Sequence, residues 1–318
     1  MRAATSSSAS EPLRLVDLPS RPLRPGELRV RVRAIGVNPV DWKMRAGGPL
    51  GTAQRLIGPR GPLVVGIDFA GEVSEVTAGV TDLPVGTRVV GGTDFSRGQL
   101  GSYADEVVVR PDQCAPLPDA VSFDDAACLP VAAVTAWRWL VEVARLGERP
   151  DPRVLVLGAS GGVGLFAVQI ARSLGAAAVG VCSTRNAALV ASLGATVVDY
   201  TAGDPLTTAA AHGPFDLVLN TVGSDAYPRK GCCALLRPTG VLGLVVVHNA
   251  DFPALVFSPR VRTILGRPTR AELAPLVDLL ARGQLPPVIA GRIPLAEAER
   301  AHTLSRSGKV VGKLLLVP

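Results

Sequence analysis

The chain reads as an α/β protein in two parts: an antiparallel, barrel-like unit and a doubly wound parallel sheet. Three observations predict this. The opening third is short strands punctuated by Gly and Pro, the middle alternates strand and helix around a glycine-rich turn, and the tail returns to the opening style. The composition agrees. Of 318 residues, 47% are hydrophobic and 19% charged, a balance that fills buried cores and excludes a disordered chain. Aromatics are only 4%, so Val, Ala and Leu do most of the packing. Short Val-dense runs are what strands buried on both faces look like.

The opening MRAATSSSAS lacks the apolar stretch of a signal peptide and reads as a surface strand or loose terminus. ELRVRVRAIGV alternates Arg29, Arg31 and Arg33 with Leu28, Val30 and Val32, a half-exposed strand. Its arginines face solvent or, alternatively, a ligand phosphate. PLVVGIDFAGEVSEV, GTRVVGG and GSYADEVVVR follow as further strands. Near Asp124 the rhythm changes. DDAACLPVAAVTAWRWLVEVARL is expected as a helix, RVLVLGA as a buried strand, and LFAVQIARSLG as a helix closed by Gly175. AAVGVCS (strand), NAALVASLG (helix), ATVVDY, FDLVLNTVG and VLGLVVV (strands) and ELAPLVDLLARG (helix) continue the series. Such alternation specifies βαβ units with right-handed crossovers. RIPLAEAERAHTLSRSG is a short helix, and KVVGKLLLVP a strand that rejoins the first part.

The 33 Lys plus Arg against 27 Asp plus Glu leave a net charge of +6. The positive residues are dispersed, without a basic block or interleaved aromatics, so nucleic acid is not an expected partner and a phosphorylated ligand accounts for the charge. Cys114, Cys128, Cys182, Cys232 and Cys233 form no CxxC pair or even framework, which fits a reducing cytoplasm. No apolar run reaches the ~18 residues of a membrane span.

GASGGVGLFAVQIA lies between a strand and a helix, the setting a dinucleotide fingerprint requires. Gly161 and Gly164 take the second and third positions of GxGxxG, and Ala159 replaces the first glycine. Glycine lets the backbone turn tightly and approach a pyrophosphate, while the helix start offers N–H groups and a positive dipole end. The loop lacks the GK[ST] ending of a P-loop. At the end of the second strand the sequence is CSTRN, with Ser183 and Arg185 where an NAD enzyme usually places an acid. A hydroxyl and a guanidinium can bind a 2′-phosphate that a carboxylate would repel, so NADPH is expected and NADH stays possible.

These residues bring in a family. The chain resembles the medium-chain dehydrogenase/reductase superfamily, specifically its zinc-independent quinone oxidoreductase (zeta-crystallin-like) and enoyl reductase branch. The resemblance runs through AIGVNPVDWKMRAG, VVGIDFAGEV, LPVAAVTAW, ASGGVG, SLGA, FDLVLNTVG and GKVVGKLLL. It implies a GroES-like β-barrel catalytic domain over 1–120, a Rossmann domain over 121–286 and a return to the barrel over 287–318. By the same resemblance the cofactor contacts are Ser160, Gly161, Gly162, Val163, Gly164, Ser183, Arg185 and Asn220. Asn38 and Thr135 line the nicotinamide end. A homodimer through the Rossmann sheet edge is implied too, with VLGLVVV as that edge.

Zinc members place a cysteine where this chain has Asn38 and His-Glu where it has Ile67 and Asp68. His212, His248 and His302 show no ligand spacing to any cysteine, so no zinc is expected. No Tyr is followed four positions later by Lys, which removes the short-chain dehydrogenases. Without a Lewis acid, a conjugated acceptor is the expected substrate: a quinone, an enone or an α,β-unsaturated thioester. Lys43 is the candidate for polarising the carbonyl or moving a proton, against a plain exposed barrel lysine. Asp41 and Asp68 are expected to hold barrel loops. Lys309 and Lys313 are read either as approaching a phosphate or as strand-solubilising residues. Two alternatives stay open: an enoyl-CoA or carrier-bound enoyl reductase, favoured by a basic mouth of Arg29, Arg31 or Lys309, and a non-catalytic NADPH-binding protein.

Overall fold

The computed structural model describes residues 1–6, 11–47, 51, 52, 56, 58, 61–264 and 266–318. In chain order the strands are β1 (Arg2–Ser6), β2 (Arg14–Asp17), β3 (Leu28–Val37), β4 (Leu63–Val64), β5 (Asp68–Val76), β6 (Arg88–Gly92), β7 (Glu106–Val109) and β8 (Cys114–Pro116). They continue as β9 (Arg153–Leu157), β10 (Ala177–Cys182), β11 (Thr196–Asp199), β12 (Phe215–Asn220), β13 (Leu236–Leu244), β14 (Val261–Thr263), β15 (Ile289–Pro294) and β16 (Lys313–Val317). The helices are α1 (Pro39–Ala46), α2 (Phe123–Ala127), α3 (Val134–Trp137), α4 (Gly162–Ser173), α5 (Ala187–Ser192), α6 (Pro205–Ala210), α7 (Arg229–Ala234), α8 (Phe252–Phe257), α9 (Arg270–Ala281) and α10 (Ala298–Arg306). Two compact units result, Met1–Val134 with Arg267–Pro318, and Thr135–Gly266.

In the first unit β3 is the hub. One edge pairs with β5, and the other is shared along its length by β7 and then β16, with Val37 opposite Leu314 and Ile35 opposite Leu316. The sheet runs β15-β16-β3-β5-β6-β8, and β2-β1-β4 forms a second small sheet. Alternation does the sorting on β3: Leu28, Val30 and Val32 enter the core with Ile35, Phe69, Leu83 and Leu316. Arg29 pairs with Glu75 and Glu106, and Arg33 with Glu72, so these two arginines are held by carboxylates.

The second unit is a parallel sheet of order β11-β10-β9-β12-β13-β14. Counted from β9 this is 3-2-1-4-5-6, the doubly wound order, and the direction of winding reverses between β9 and β12. β12 is buried at every residue, including Asp216, which pairs with Arg149 and Arg237. Trp139 is fully buried and lies on Gly243, where an added Cβ would come within 2.8 Å of the indole. That makes it a packing residue.

Three expectations change. The segment 121–286 is not one unit: α2 and α9 lie in the first, where α9 buries Leu273, Leu276 and Val277 and packs on β8 and on α2. An apolar helical stripe records that it is buried, not which surface covers it. The expected long helix after Asp124 is α2, a π-helical segment Leu129–Ala133, α3 and a second π-helical segment Arg138–Val143. Pro130 lacks the amide donor that would carry a regular helix through. Finally, VLGLVVV is not an edge: β13 lies between β12 and β14, and the three-residue β14 is too short to leave a periodic signal. Among the described residues no helix is long and apolar enough to cross a membrane.

Candidate nucleotide site and acceptor-side network

β9 ends in the loop Gly158–Gly161, and α4 starts at Gly162 with Gly161 as its N-cap. No side chain caps that first turn, so its N–H groups remain available to an anion. The glycines divide the labour. Gly158, at φ +83°, makes the tight turn; a Cβ there would sit 2.5 Å from Thr221 Oγ1 and 2.8 Å from Val222 Cγ2. The turn therefore falls to Gly158, one residue before Ala159, which the motif had marked as a replaced glycine. Gly164 lets the helix close on the strand, because a Cβ would lie 2.2 Å from Gly158 O. Gly161 would meet only Gly158 O, at 3.4 Å, so its outer face is open. A pyrophosphate fits there. Ser160 accepts a hydrogen bond from Asn186 Nδ2 at 3.0 Å, tying the loop to the start of α5.

At the end of β10, Ser183 is buried and Arg185 exposed. A carboxylate missed by the sequence reading stands on the next strand. Asp199 accepts from the Thr184 and Thr201 hydroxyls, and these bonds hold its carboxyl below the usual range. Tyr200, whose N–H donates to Cys182 O at 3.1 Å, presents a half-exposed ring beside it. Its signal was a lone aromatic ending a strand. Asn220 is fully buried: Oδ1 accepts from the Val222 and Gly223 amides at 3.0 and 2.9 Å, and Nδ2 donates to Gly223 O at 3.1 Å. Its polar atoms thus shape the turn after β12.

The first unit holds Asn38 and Lys43; Thr135 lies half-buried in the second, on α3. Asn38, the residue before α1, is 3% exposed. Its Nδ2 donates to Asp68 Oδ2 at 2.9 Å, and its Oδ1 accepts from Lys313 Nζ at 2.5 Å. Lys313 Nζ also reaches Asp68 Oδ2 and Val37 O, each at 3.1 Å. Asp68 Oδ1 accepts from the Val131 amide at 3.0 Å, and burial pushes its carboxyl up. Gly36 permits this approach, since a Cβ would fall 2.7 Å from Asp68 Oδ2. Lys313 is therefore neither a phosphate ligand nor a surface lysine. It is a buried ammonium inside an oxygen cage.

Asp41, also fully buried, accepts from Asn38 N at 2.8 Å and Tyr103 OH at 3.1 Å, and Tyr103 OH lies 3.2 Å from His302 Nε2. Burial, with the Asp68 charge nearby, raises the Asp41 carboxyl to about 7, and burial lowers the His302 imidazole to about 4. Lys43 is half-buried on α1, its Nζ 5.6 Å from the Trp42 ring centroid, and burial lowers its pKa. Among the described residues no group of three or more His, Cys, Asp or Glu is placed to hold a metal ion.

Comparison with known proteins meets this geometry. Residues 24–119 match the alcohol dehydrogenase GroES-like domain, and residues 193–316 match a family described as zinc-binding dehydrogenase. A quinone oxidoreductase of Pseudomonas aeruginosa is 32% identical over 321 residues, covering 94% of each chain. The chain belongs to the quinone oxidoreductases of the medium-chain dehydrogenase/reductase superfamily. The chain is an oxidoreductase of two domains, a GroES-like barrel and a Rossmann sheet. It is 36% identical over 227 residues to a mitochondrial NAD(P)H oxidoreductase of Danio rerio, covering 67% of this chain and 57% of that one. The solved structure of the quinone oxidoreductase from Coxiella burnetii superposes with a TM-score of 0.87 at 29% identity, covering 100% of this chain and 98% of that one.

Proposed function

We propose that the protein is a zinc-independent reductase that uses NADPH to reduce a conjugated acceptor, a quinone first, with enones and enoyl thioesters as further candidates. The observation that carries the reading is the open glycine cradle where the strand order reverses, with Ser183 and Arg185 at the neighbouring strand end. The first turn of α4 receives the pyrophosphate. Ser183 and Arg185 receive the 2′-phosphate, and Tyr200 offers a flat face to the adenine. Asp199 is turned onto its own threonines, which limits its repulsion of that phosphate.

When bound, the reduced nicotinamide supplies a hydride to the conjugated bond. The chain's own task is to orient the acceptor and steady the negative charge reaching its oxygen. We assign that task to Lys43, half-buried with a pKa that burial lowers. Asn38 works as a positioning residue, because Asp68 and Lys313 hold both ends of its amide. The same cage supports zinc independence: a metal ion seated on Asn38 and Asp68 would have to displace the Lys313 ammonium. The enoyl-CoA reading loses part of its motive, since Arg29 is held by Glu75 and Glu106.

Arg185→Asp is the test. NADPH affinity is expected to fall roughly 10- to 100-fold, the worth of a lost charge-assisted contact, while NADH affinity changes little. Titration of nucleotide fluorescence reads both. Equal losses refute the 2′-phosphate assignment, and turnover with quinones, free enones and enoyl-CoA esters ranks the acceptors.

A further inference from the structure

Two loops at the carboxyl ends of β12 and β13 hold an imidazole beside the nucleotide cradle. His248 follows β13, and its Nδ1 lies 3.0 Å from Asp225 Oδ2 on the loop after β12. The imidazole edge packs on Gly223, at φ +130°, where an added Cβ would meet His248 Nε2 at 2.7 Å. Gly223 belongs to the turn built by Asn220, and Val222 of that turn packs against Gly158 of the cradle. The loops are stapled together. Asp251 accepts from the His248 amide at 2.8 Å and from Ser224 Oγ at 2.7 Å, and it pairs with Arg229 at 3.4 Å. The charged groups around the imidazole are thus Asp225 directly, and Asp251 with Arg229 behind the backbone.

A doubly wound sheet binds one nucleotide half on each side of the strand reversal. With the 2′-phosphate on the β10 side, the β12–β13 side receives the nicotinamide half. From this juxtaposition we propose that His248, oriented by Asp225, is the proton donor of the reduction. The inference rests on the reductase reading above and identifies the residue that completes it. Each two-electron reduction by hydride leaves an anion that needs one proton. The Nε2–H bond of the imidazolium breaks, and a bond forms from that proton to the acceptor's α-carbon or quinone oxygen. The neutral imidazole then takes a proton from water, which its 36% exposed side chain can reach. Asp225 Oδ2, 3.0 Å from Nδ1, pairs with the protonated ring on that side, leaving the Nε2–H as the proton to give.

His248→Gln and Asp225→Asn test the assignment on the full chain. In the nucleotide-free protein, nitrogen NMR of the His248 ring should show Nδ1 protonated in the wild type and a changed tautomer balance in Asp225→Asn. An unchanged ring overturns the pairing. NADPH affinity should stay within about threefold in His248→Gln, while kcat falls about 100-fold, the usual worth of a positioned acid. The alkaline limb of the kcat–pH profile should vanish with it, and Asp225→Asn should fall in between. A rise in the NADPH dissociation constant with kcat intact makes His248 a cofactor ligand and overturns the proposal. So does a lower kcat that keeps the wild-type pH limb. A wild-type protein that binds no NADPH sinks the underlying reading instead, which NADPH titration distinguishes from the failure of His248 alone.

Discussion

Lys313 carries its ammonium into the first unit at 4% exposure, and a charge there survives only if oxygens replace its lost water. Val37 O, Asn38 Oδ1 and Asp68 Oδ2 do so. Lys313→Met should therefore destabilise by about 3–5 kcal/mol, because it strands the Asp68 carboxylate, and Lys313→Met with Asp68→Asn should recover much of that loss. Urea unfolding of the single and double variants checks both. The neighbouring network makes a prediction about pH. Asp41 is raised to about 7, so its contribution is full below its unfolded value and declines as pH rises through 7. His302 is lowered to about 4, so its contribution is full above the ordinary histidine value and declines as pH falls toward 4. The two slopes oppose each other between about pH 4 and 7. Asp41→Asn should leave stability rising with pH across that window, and His302→Gln should leave it falling; unfolding midpoints at several pH values read the difference. Sequence reasoning placed Asp41 and Asp68 as loop-holding groups, which their hydrogen bonds bear out. It left Lys313 open between two roles that the cage replaces. Lysine in a terminal strand looks the same in sequence whether its head is wet or buried, because only the partner strand decides.

At the scale of elements, the loop from β9 into α4 was legible because its constraint is steric and local. Gly161 and Gly164 are needed for different reasons, and substitution should separate them. Gly164→Ala drives a Cβ to 2.2 Å from Gly158 O, so it should cost about 1–3 kcal/mol and weaken nucleotide binding as a consequence. Gly161→Ala meets nothing closer than 3.4 Å; stability should hold within about 0.5 kcal/mol while NADPH affinity falls, since the methyl occupies the open face. Thermal unfolding beside nucleotide titration tells the two apart. The turn after β12 was harder to read. Asn220 was expected as a cofactor contact, yet its side chain bonds Val222 and Gly223 and so acts by placing Gly223 under His248. His248 itself gave no signal, because its partner Asp225 lies on another loop and histidine spacing alone says nothing about pairs made across strands.

Across the whole molecule, the change of rhythm from Gly-punctuated strands to βαβ alternation located two architectures but missed their limits. The strand order 3-2-1-4-5-6 follows from right-handed crossovers of the units read in sequence. The boundary does not, because α2 and α9 look like any other amphipathic helix until the surface of β8 is known to receive α9. Family membership supplied what periodicity could not, the GroES-like character of the first unit. The pairing of β16 with β3 carries a consequence for biosynthesis. A ribosome delivers Asp68 early and its ammonium partner 245 residues later, after every residue of the parallel sheet has been made. The parallel sheet has what it needs to fold first, while the barrel waits, two strands short and with a carboxylate unneutralised, until β15 and β16 have been made.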